Sequence, residues 1–274
     1  MFRNYVVNTL RIIRKQKWYS LITLSGLAIG MTCFILISFY ARYEFSYDRF
    51  HENHQNIYRV IADTGEVYRG KSQVAVTPAS LAAAMQDTFP EVLNTTKVKD
   101  RSVTMKYRGN RMAESQVYYA DPAFLEIFDF PLQKGNSETA LDAPYNLLIS
   151  RDMADKYFGS SDPLGETVSV DGIDHMVTGV LENIPGNTHF RFDYLASFSS
   201  LIESSGKDRI IRWNNWSYYT YVKIHGEASS LAIEQKLPDL LKQHSPNSTQ
   251  VLRLQPVADV HLHNDANFEL ESPG

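Results

Sequence analysis

Residues Leu21–Tyr40, LITLSGLAIGMTCFILISFY, contain no charged side chain. At a helical rise of about 1.5 Å per residue such a run spans roughly 30 Å, the thickness of one bilayer core. Its reading divides the chain into a short N-terminal part, one membrane crossing and a large domain on the far side. The basic residues before the span are Arg3, Arg11, Arg14, Lys15 and Lys17, and the first forty residues contain no Asp or Glu. By the positive-inside rule the N-terminus is cytoplasmic. Trp18 and Tyr19 flank the inner end and Tyr40, Tyr43 and Tyr47 the outer end, as an aromatic belt requires.

A cleaved signal peptide also begins basic and continues apolar. This run exceeds an h-region of about 7–15 residues, and its exit, Phe39-Tyr40-Ala41-Arg42, lacks a small-x-small cleavage site, so an uncleaved anchor fits better. Cys33, the single cysteine, lies mid-span, away from any lipidation position, and precludes an intrachain disulfide. Gly26 and Gly30 form a GxxxG pair with Ala28 and Thr32 nearby, so a second helix could approach closely.

Upstream, Phe2, Tyr5, Val6, Thr9, Leu10 and Ile13 recur at helical spacing, with Arg3, Arg11, Arg14 and Lys15 on another face. Residues 1–17 therefore read as an amphipathic helix on the inner leaflet, in contact with lipid, rather than a disordered basic tail. The expected boundaries are 1–17 for this helix, 18–43 for the span and 44–274 for the outer domain.

The whole chain holds 27 Lys and Arg against 31 Asp and Glu; setting aside the five basic residues before the span leaves 22 against 31, a formal charge of −9 for residues 41–274. An acidic domain is a poor partner for nucleic acid. Its length exceeds the usual domain size of about 100–150 residues, which points to two parts, and the absence of a Gly/Ser-rich linker points to one inserted in the other.

Strand and helix patterns alternate along it, as in an α+β fold. Strands are expected at Ile57–Ile61, Val92–Val98, Val103–Tyr107, Arg111–Tyr119, Tyr145–Ile149, Thr167–Val170, Asp174–Leu181, Tyr218–Ile224 and Thr249–Gln255. Helices are expected after Pro78, with that proline in the first turn, and at Pro122–Phe128, Arg151–Tyr157 and Ser229–His244. Asp121 is placed to cap a helix start, and Gly159 to end one in the left-handed conformation.

Motifs that suggest chemistry are weak. Gly65-Glu66-Val67-Tyr68-Arg69-Gly70-Lys71-Ser72 matches GxxxxGKS, but a P-loop needs a helix at Lys-Ser, whereas Gln73-Val74-Ala75-Val76 is strand-like; a turn between strands explains the glycines. Asp259, His261 and His263 would share one side of a strand, a geometry open to a metal but short of a full ligand set, so a surface or packing role is the stronger reading. His51-Glu52-Asn53-His54 is one residue short of HExxH. There is no GxSxG elbow. Trp213, Trp216, Tyr218, Tyr219 and Tyr221 could meet an apolar partner, but Tyr219 and Tyr221 alternate as strand-core residues do. No catalytic, metal or cofactor residue is assigned, and no cofactor is expected.

Several blocks together resemble one family. Tyr43-Glu44-Phe45-Ser46-Tyr47-Asp48-Arg49-Phe50-His51 with Ile57-Tyr58-Arg59-Val60, Ala120-Asp121-Pro122-Ala123-Phe124 with Phe128-Asp129-Phe130-Pro131, and Lys156-Tyr157-Phe158-Gly159 with Asp162-Pro163-Leu164-Gly165 are similar to the extracytoplasmic domain of MacB-like, FtsX-related ABC transporter permeases. Val177-Thr178-Gly179-Val180, Asn183-Ile184-Pro185-Gly186-Asn187-Thr188-His189-Phe190, Leu254-Gln255-Pro256 and Val260-His261-Leu262-His263 continue it. The resemblance implies a non-catalytic permease subunit of the bacterial inner membrane. Its outer domain would be periplasmic, with a porter-like part (about 44–108 and 212–274) and an inserted β-rich part (about 109–211). It also implies a separate cytoplasmic ATPase subunit, a second permease copy and a periplasmic adaptor or outer-membrane partner. Residue 274 falls where a second span would be expected, so a fragment of a longer permease is the favoured expectation. The alternative is a single-pass membrane-anchored binding or adaptor protein.

Overall fold

The computed structural model describes residues 11, 15–68, 70–111, 115–263 and 266–270. Two compact units are distinguished, residues 1–46 and 47–274. The first is dominated by helix α1 (Lys17–Glu44), 28 residues and about 42 Å long at the standard rise. None of its residues is buried, although its side chains are apolar. An uncovered apolar helix of this length suits lipid rather than water, and it is long and apolar enough to cross a membrane. Three of its hydroxyls bond within the helix: Ser25 donates to the Ile22 carbonyl at 3.0 Å, Thr32 to Ala28 at 2.8 Å and Ser38 to Phe34 at 2.7 Å. That is what a low-dielectric environment demands.

The second unit is a mixed α/β domain built on one extended sheet path. Its first strands are β1 (Ile57–Tyr68), β2 (Lys71–Val74), β3 (Thr77–Pro78) and, after helix α2 (Ser80–Thr88), β4 (Val92–Val103). Then come β5 (Met105–Tyr107), β6 (Asn110–Arg111), β7 (Ser115–Ala120), α3 (Ala123–Ile127), β8 (Leu132–Gly135) and β9 (Asn146–Ser150). They are followed by α4 (Arg151–Phe158), β10 (Thr167–Val170), β11 (Ile173–Leu181), β12 (Tyr194–Ser197), α5 (Phe198–Ser205) and α6 (Lys207–Ile210). The chain continues through β13 (Trp216–Ile224), α7 (Ser230–His244), β14 (Val251–Pro256) and β15 (Ala266–Asn267). Neighbouring strands run β15-β2-β1-β13-β4-β7-β12-β9-β11-β10-β5-β6, with β14 on β1, β3 on β13 and β8 on β11. Most pairs are antiparallel, but β7–β12, β9–β11 and β2–β15 are parallel, each joined by a long connection that contains at least one helix.

Three apolar clusters hold the domain. One gathers α2 and α7 over β1, β13 and β14, with Leu81, Met85, Ile233 and Leu237 fully buried. A second lies around β7, β9, β11 and β12 beneath α4 and α5. The third is largely aromatic: Phe124, Phe128, Phe130, Phe190 and Tyr221 meet with ring centroids 4.8–6.3 Å apart, half of the pairs edge to face. Gly135 and Gly179 are opposite each other where β8 joins β11, and a Cβ on Gly135 would lie 2.5 Å from the Thr178 carbonyl oxygen. Only two residues without side chains allow this approach.

Most expected elements form, with specific corrections. Pro78 belongs to β3, opposite Trp216, and α2 starts after it at Ser80. Asp121 does not cap α3; its carboxylate takes the Lys97 amide at 3.2 Å and Lys97 Nζ at 3.0 Å. Gly159 ends α4 with φ +58° but ψ −119°, outside the left-handed helical region. His261 and His263 lie in a turn, not on a strand, and His261 stacks on Tyr47 at 3.4 Å. Tyr218 is as buried as Tyr219 and Tyr221, because β13 is a central strand covered on both faces. The GKS sequence forms a hairpin: Gly70 turns the chain with φ +81° and Lys71–Val74 is strand.

Candidate functional site: a buried polar hub in the core domain

The core domain begins with Tyr47-Asp48-Arg49-Phe50-His51, the residues that follow the helix-bearing unit, and three of these five are buried. Tyr47 is held by the stacked His261 ring. Asp48 has φ +55°, a conformation that Asp and Asn adopt more readily than most residues, and is fully buried. Its amide donates to the Asn187 carbonyl at 2.9 Å. Its carboxylate accepts the Thr188 hydroxyl at 2.5 Å and the His189 amide at 3.2 Å, and lies 2.9 Å from His189 Nδ1. Burial opposes ionisation of Asp48, but the His189 charge and the hydrogen bonds from His189 and Thr188 outweigh it and hold the carboxyl below its usual range.

On the other side of the imidazole, His189 Nε2 is 2.8 Å from the Tyr221 hydroxyl. Burial raises the Tyr221 phenol well above its ordinary range, so it keeps its proton. His189 Nδ1 approaches the Asp48 carboxylate to 2.9 Å but makes no hydrogen bond to it, so hydroxyl, imidazole and carboxylate lie in line without a continuous relay. The order matches a nucleophilic triad. Tyr221 and Asp48 are both 0% exposed, however, so no substrate reaches either, and the constellation acts as a clamp.

His51, also fully buried, accepts the Asp129 amide on Nδ1 at 3.0 Å, while Asp129 accepts the Glu52 amide at 2.7 Å. Phe128 and Phe130 meet the His51 ring edge to face at 5.1 and 5.3 Å. Burial among these rings pushes the imidazole pKa down to about 4, against a partial lift from Asp48. Arg59, on β1, is the largest fully buried side chain. It donates to Gln255 at 2.7 Å and to both Glu269 oxygens, the Nη2–Oε1 bond measuring 2.8 Å. The first residues of the domain are thus tied to segments that come 70–210 residues later in the chain.

Of the residues assigned from sequence, Leu21, Gly26, Gly30 and Tyr40 lie on α1 and are exposed; a Cβ on either glycine would meet nothing within 4 Å. Arg11 is exposed, while Arg3, Leu10 and Arg14 lie outside the described residues, as does most of the expected 1–17 helix. Sequence alone marks His51 only as part of an incomplete HExxH and Tyr221 as a strand-core residue, and gives Asp48, Arg59 and His189 no role beyond their family-like blocks. Arg59 carried a signal, since it shares an inward strand face with Ile57 and Ile61.

The family model described as MacB-like periplasmic core domain matches residues 20–240. The chain belongs to this family. No curated protein matches the chain. Among solved structures, a domain of a protein described as a permease from Porphyromonas gingivalis superposes with a TM-score of 0.65 at 22% identity, over 75% of this chain and 91% of that one. The periplasmic region of MacB from Actinobacillus actinomycetemcomitans gives a TM-score of 0.56 at 14% identity, over 78% and 95%. The extracellular domain of the noncanonic ABC-type transporter YknZ from Gram-positive bacteria gives 0.53 at 17%, over 73% and 100%. At these identities the likeness is one of fold. In sequence the MacB-like periplasmic core domain here follows an N-terminal apolar helix, and two of the blocks quoted above for their family resemblance supply Asp48 and His189 to its hub.

Proposed function

We propose that this chain is the N-terminal part of a permease subunit of an ABC transporter, turning ATP-driven motion in the cytoplasm into displacement of the periplasmic core domain, for export or for mechanical work in the periplasm. The observation that carries this reading is the hub: Tyr47, Asp48 and His51 are fixed by buried bonds to distant segments, so a pull on the chain at residue 47 is resisted by the whole domain rather than by a frayed end. In this reading the chain does no covalent chemistry itself. A separate cytoplasmic ATPase subunit binds the nucleotide, a second permease copy packs on the Gly26/Gly30 face of α1, and a periplasmic adaptor or outer-membrane partner receives the motion. The N-terminus is cytoplasmic, residues after about 43 are periplasmic, and the membrane is the bacterial inner membrane. Residues 44–108 with 212–274 form a porter-like part and 109–211 a β-rich insert; the α2/α7 core, drawn wholly from the first set, supports that division.

The N-terminal helix is the coupling element, with Arg3, Arg11 and Arg14 on anionic headgroups or the ATPase and Leu10 in the apolar stripe. Leu10→Asp should leave insertion and the folded core domain intact but reduce transport per ATP hydrolysed in the assembled transporter. Unchanged transport per ATP in that variant would reduce the helix to a topology signal.

A further inference from the structure

A cavity of about 220 Å³ lies where β4 and β7 meet α5 and the β10–β11 turn, lined by Arg101, Tyr119, Tyr145, Asp171 and His175 among others. A second of about 310 Å³, lined by Lys99, Arg209 and Asn215, shares Arg101 and Ser205 with it. Lys97, Lys99 and Arg101 alternate along β4 and therefore project from one face, and Tyr119, opposite Lys99 on β7, projects from the same face. This concentrates cations in a domain whose formal charge is negative. Lys97 is neutralised by Asp121 and Lys99 lies 3.4 Å from Asp100. Among the described residues the guanidiniums of Arg101 and Arg209 have no hydrogen-bonded or ion-paired partner.

The remaining lining groups are complementary to hydroxyls. His175 is buried, and its Nδ1, 3.0 Å from the Ile173 carbonyl oxygen, must carry the proton, which makes Nε2 an acceptor; Nε2 has no donor among the described residues. Burial keeps this imidazole neutral by pushing its pKa down. Asp171 spends Oδ1 on the Thr104 amide at 2.8 Å and offers further acceptor capacity. Tyr145 has φ +64°, an uncommon conformation for an aromatic residue. Its amide is tied to Ser200 Oγ at 2.8 Å, which sets its ring edge-on to His175 at 5.4 Å. Backbone strain held in place at a cavity wall is a mark of a functional site.

We propose that these adjacent cavities bind a hydroxylated anion, a sugar phosphate or sugar acid, with Arg101 and Arg209 on the anionic group, Asp171 and His175 accepting from hydroxyls, and the Tyr119 and Tyr145 rings against the sugar. Guanidiniums suit phosphate and carboxylate by their paired donors. A site with both charge and buried acceptors discriminates against ligands that satisfy only one of them.

The test is calorimetric titration of the full chain in detergent with glucose 6-phosphate, against glucose and inorganic phosphate separately. Saturable binding of glucose 6-phosphate is expected, with both controls at least about tenfold weaker, and Arg101→Gln or Arg209→Gln weakening it by about tenfold, the worth of a lost charge-assisted bond. Both variants alter exposed side chains, so folding is checked by unchanged circular dichroism. A short-chain phosphatidylinositol distinguishes the source: binding of glucose 6-phosphate alone identifies a soluble ligand, and binding of both a lipid headgroup. No saturable binding of either, binding that both Arg variants leave within about twofold, or phosphate binding as tightly as the sugar phosphate would overturn the assignment.

Discussion

Replacing His51 by Asn should flatten the stability of the core domain against pH between 5 and 6.5. His51 is fully exposed to solvent only after unfolding, where its pKa is about 6.5, whereas burial among Phe50, Phe128 and Phe130 lowers it to about 4 in the folded chain. Below pH 6.5 the unfolded state takes up a proton that the folded state refuses. The stabilisation is therefore complete above pH 6.5 and is lost as the pH falls toward 4. With one proton of difference the limiting slope is about 1.4 kcal/mol per pH unit, and because the unfolded imidazole is half protonated at pH 6.5 the change from pH 6.5 to 5 comes to about 1.6 kcal/mol. Asn keeps an acceptor near the position of Nδ1, which takes the Asp129 amide, but does not titrate. It also gives up ring volume, at a pH-independent cost of about 1–3 kcal/mol. The assay is urea unfolding of the full chain in detergent, followed through Trp213 and Trp216 at pH 5, 5.75 and 6.5. Other titrating groups are common to both proteins and cancel in the difference. If the stability gap between wild type and His51→Asn stays constant to about 0.5 kcal/mol over that range, His51 is not buried neutral and the reasoning fails.

Glu269→Ala should cost about 3–5 kcal/mol, because Arg59 is left fully buried with only neutral Gln255 to face, while Arg59→Met combined with Glu269→Leu should recover most of that loss; unfolding midpoints of both variants decide it. Gly179→Ala should destabilise by about 1–3 kcal/mol, since its Cβ would lie 2.6 Å from Leu148 Cδ2 and 2.9 Å from the Lys134 carbonyl oxygen; a melting temperature unchanged within error would show that β8 yields freely. A reporter active only outside the cytoplasm should be active when fused after residue 60 and silent when fused before residue 15, and the reverse pattern would overturn the topology drawn from the charge bias.

The elements whose periodicity is set by local sequence were legible. Thr167–Val170 and Arg151–Phe158 form where the patterns place them, and Lys17–Glu44 announces itself by composition. Short elements were missed where no period has room to develop: β8 carries Leu132-Gln133-Lys134-Gly135, and α5 follows β12 with no turn signal between Ser197 and Phe198. Local rules also failed where a distant partner competes. Asp121 reads as a helix cap, but Lys97, 24 residues away, claims its carboxylate. The hub was hidden for the same reason, because nothing near Asp48 in sequence indicates that residues 187–189 and 221 will enclose it.

The long sequence separations in the hub bear on how the protein is made. Asp48 waits for Thr188, Tyr47 for His261 and Arg59 for Glu269, so the residues that emerge first are the last to be locked. Closing such large loops is slow, because the chain loses freedom before the contact repays it. While the polypeptide is still being delivered across the membrane, α1 can already seat in lipid, yet the start of the core domain has no partners. A nascent chain that stops before residue 187 leaves Asp48 and His51 solvated among exposed phenylalanines, a ready target for envelope chaperones and proteases. The first residues of the core domain are thus fully locked only once residues 261 and 269 have joined them.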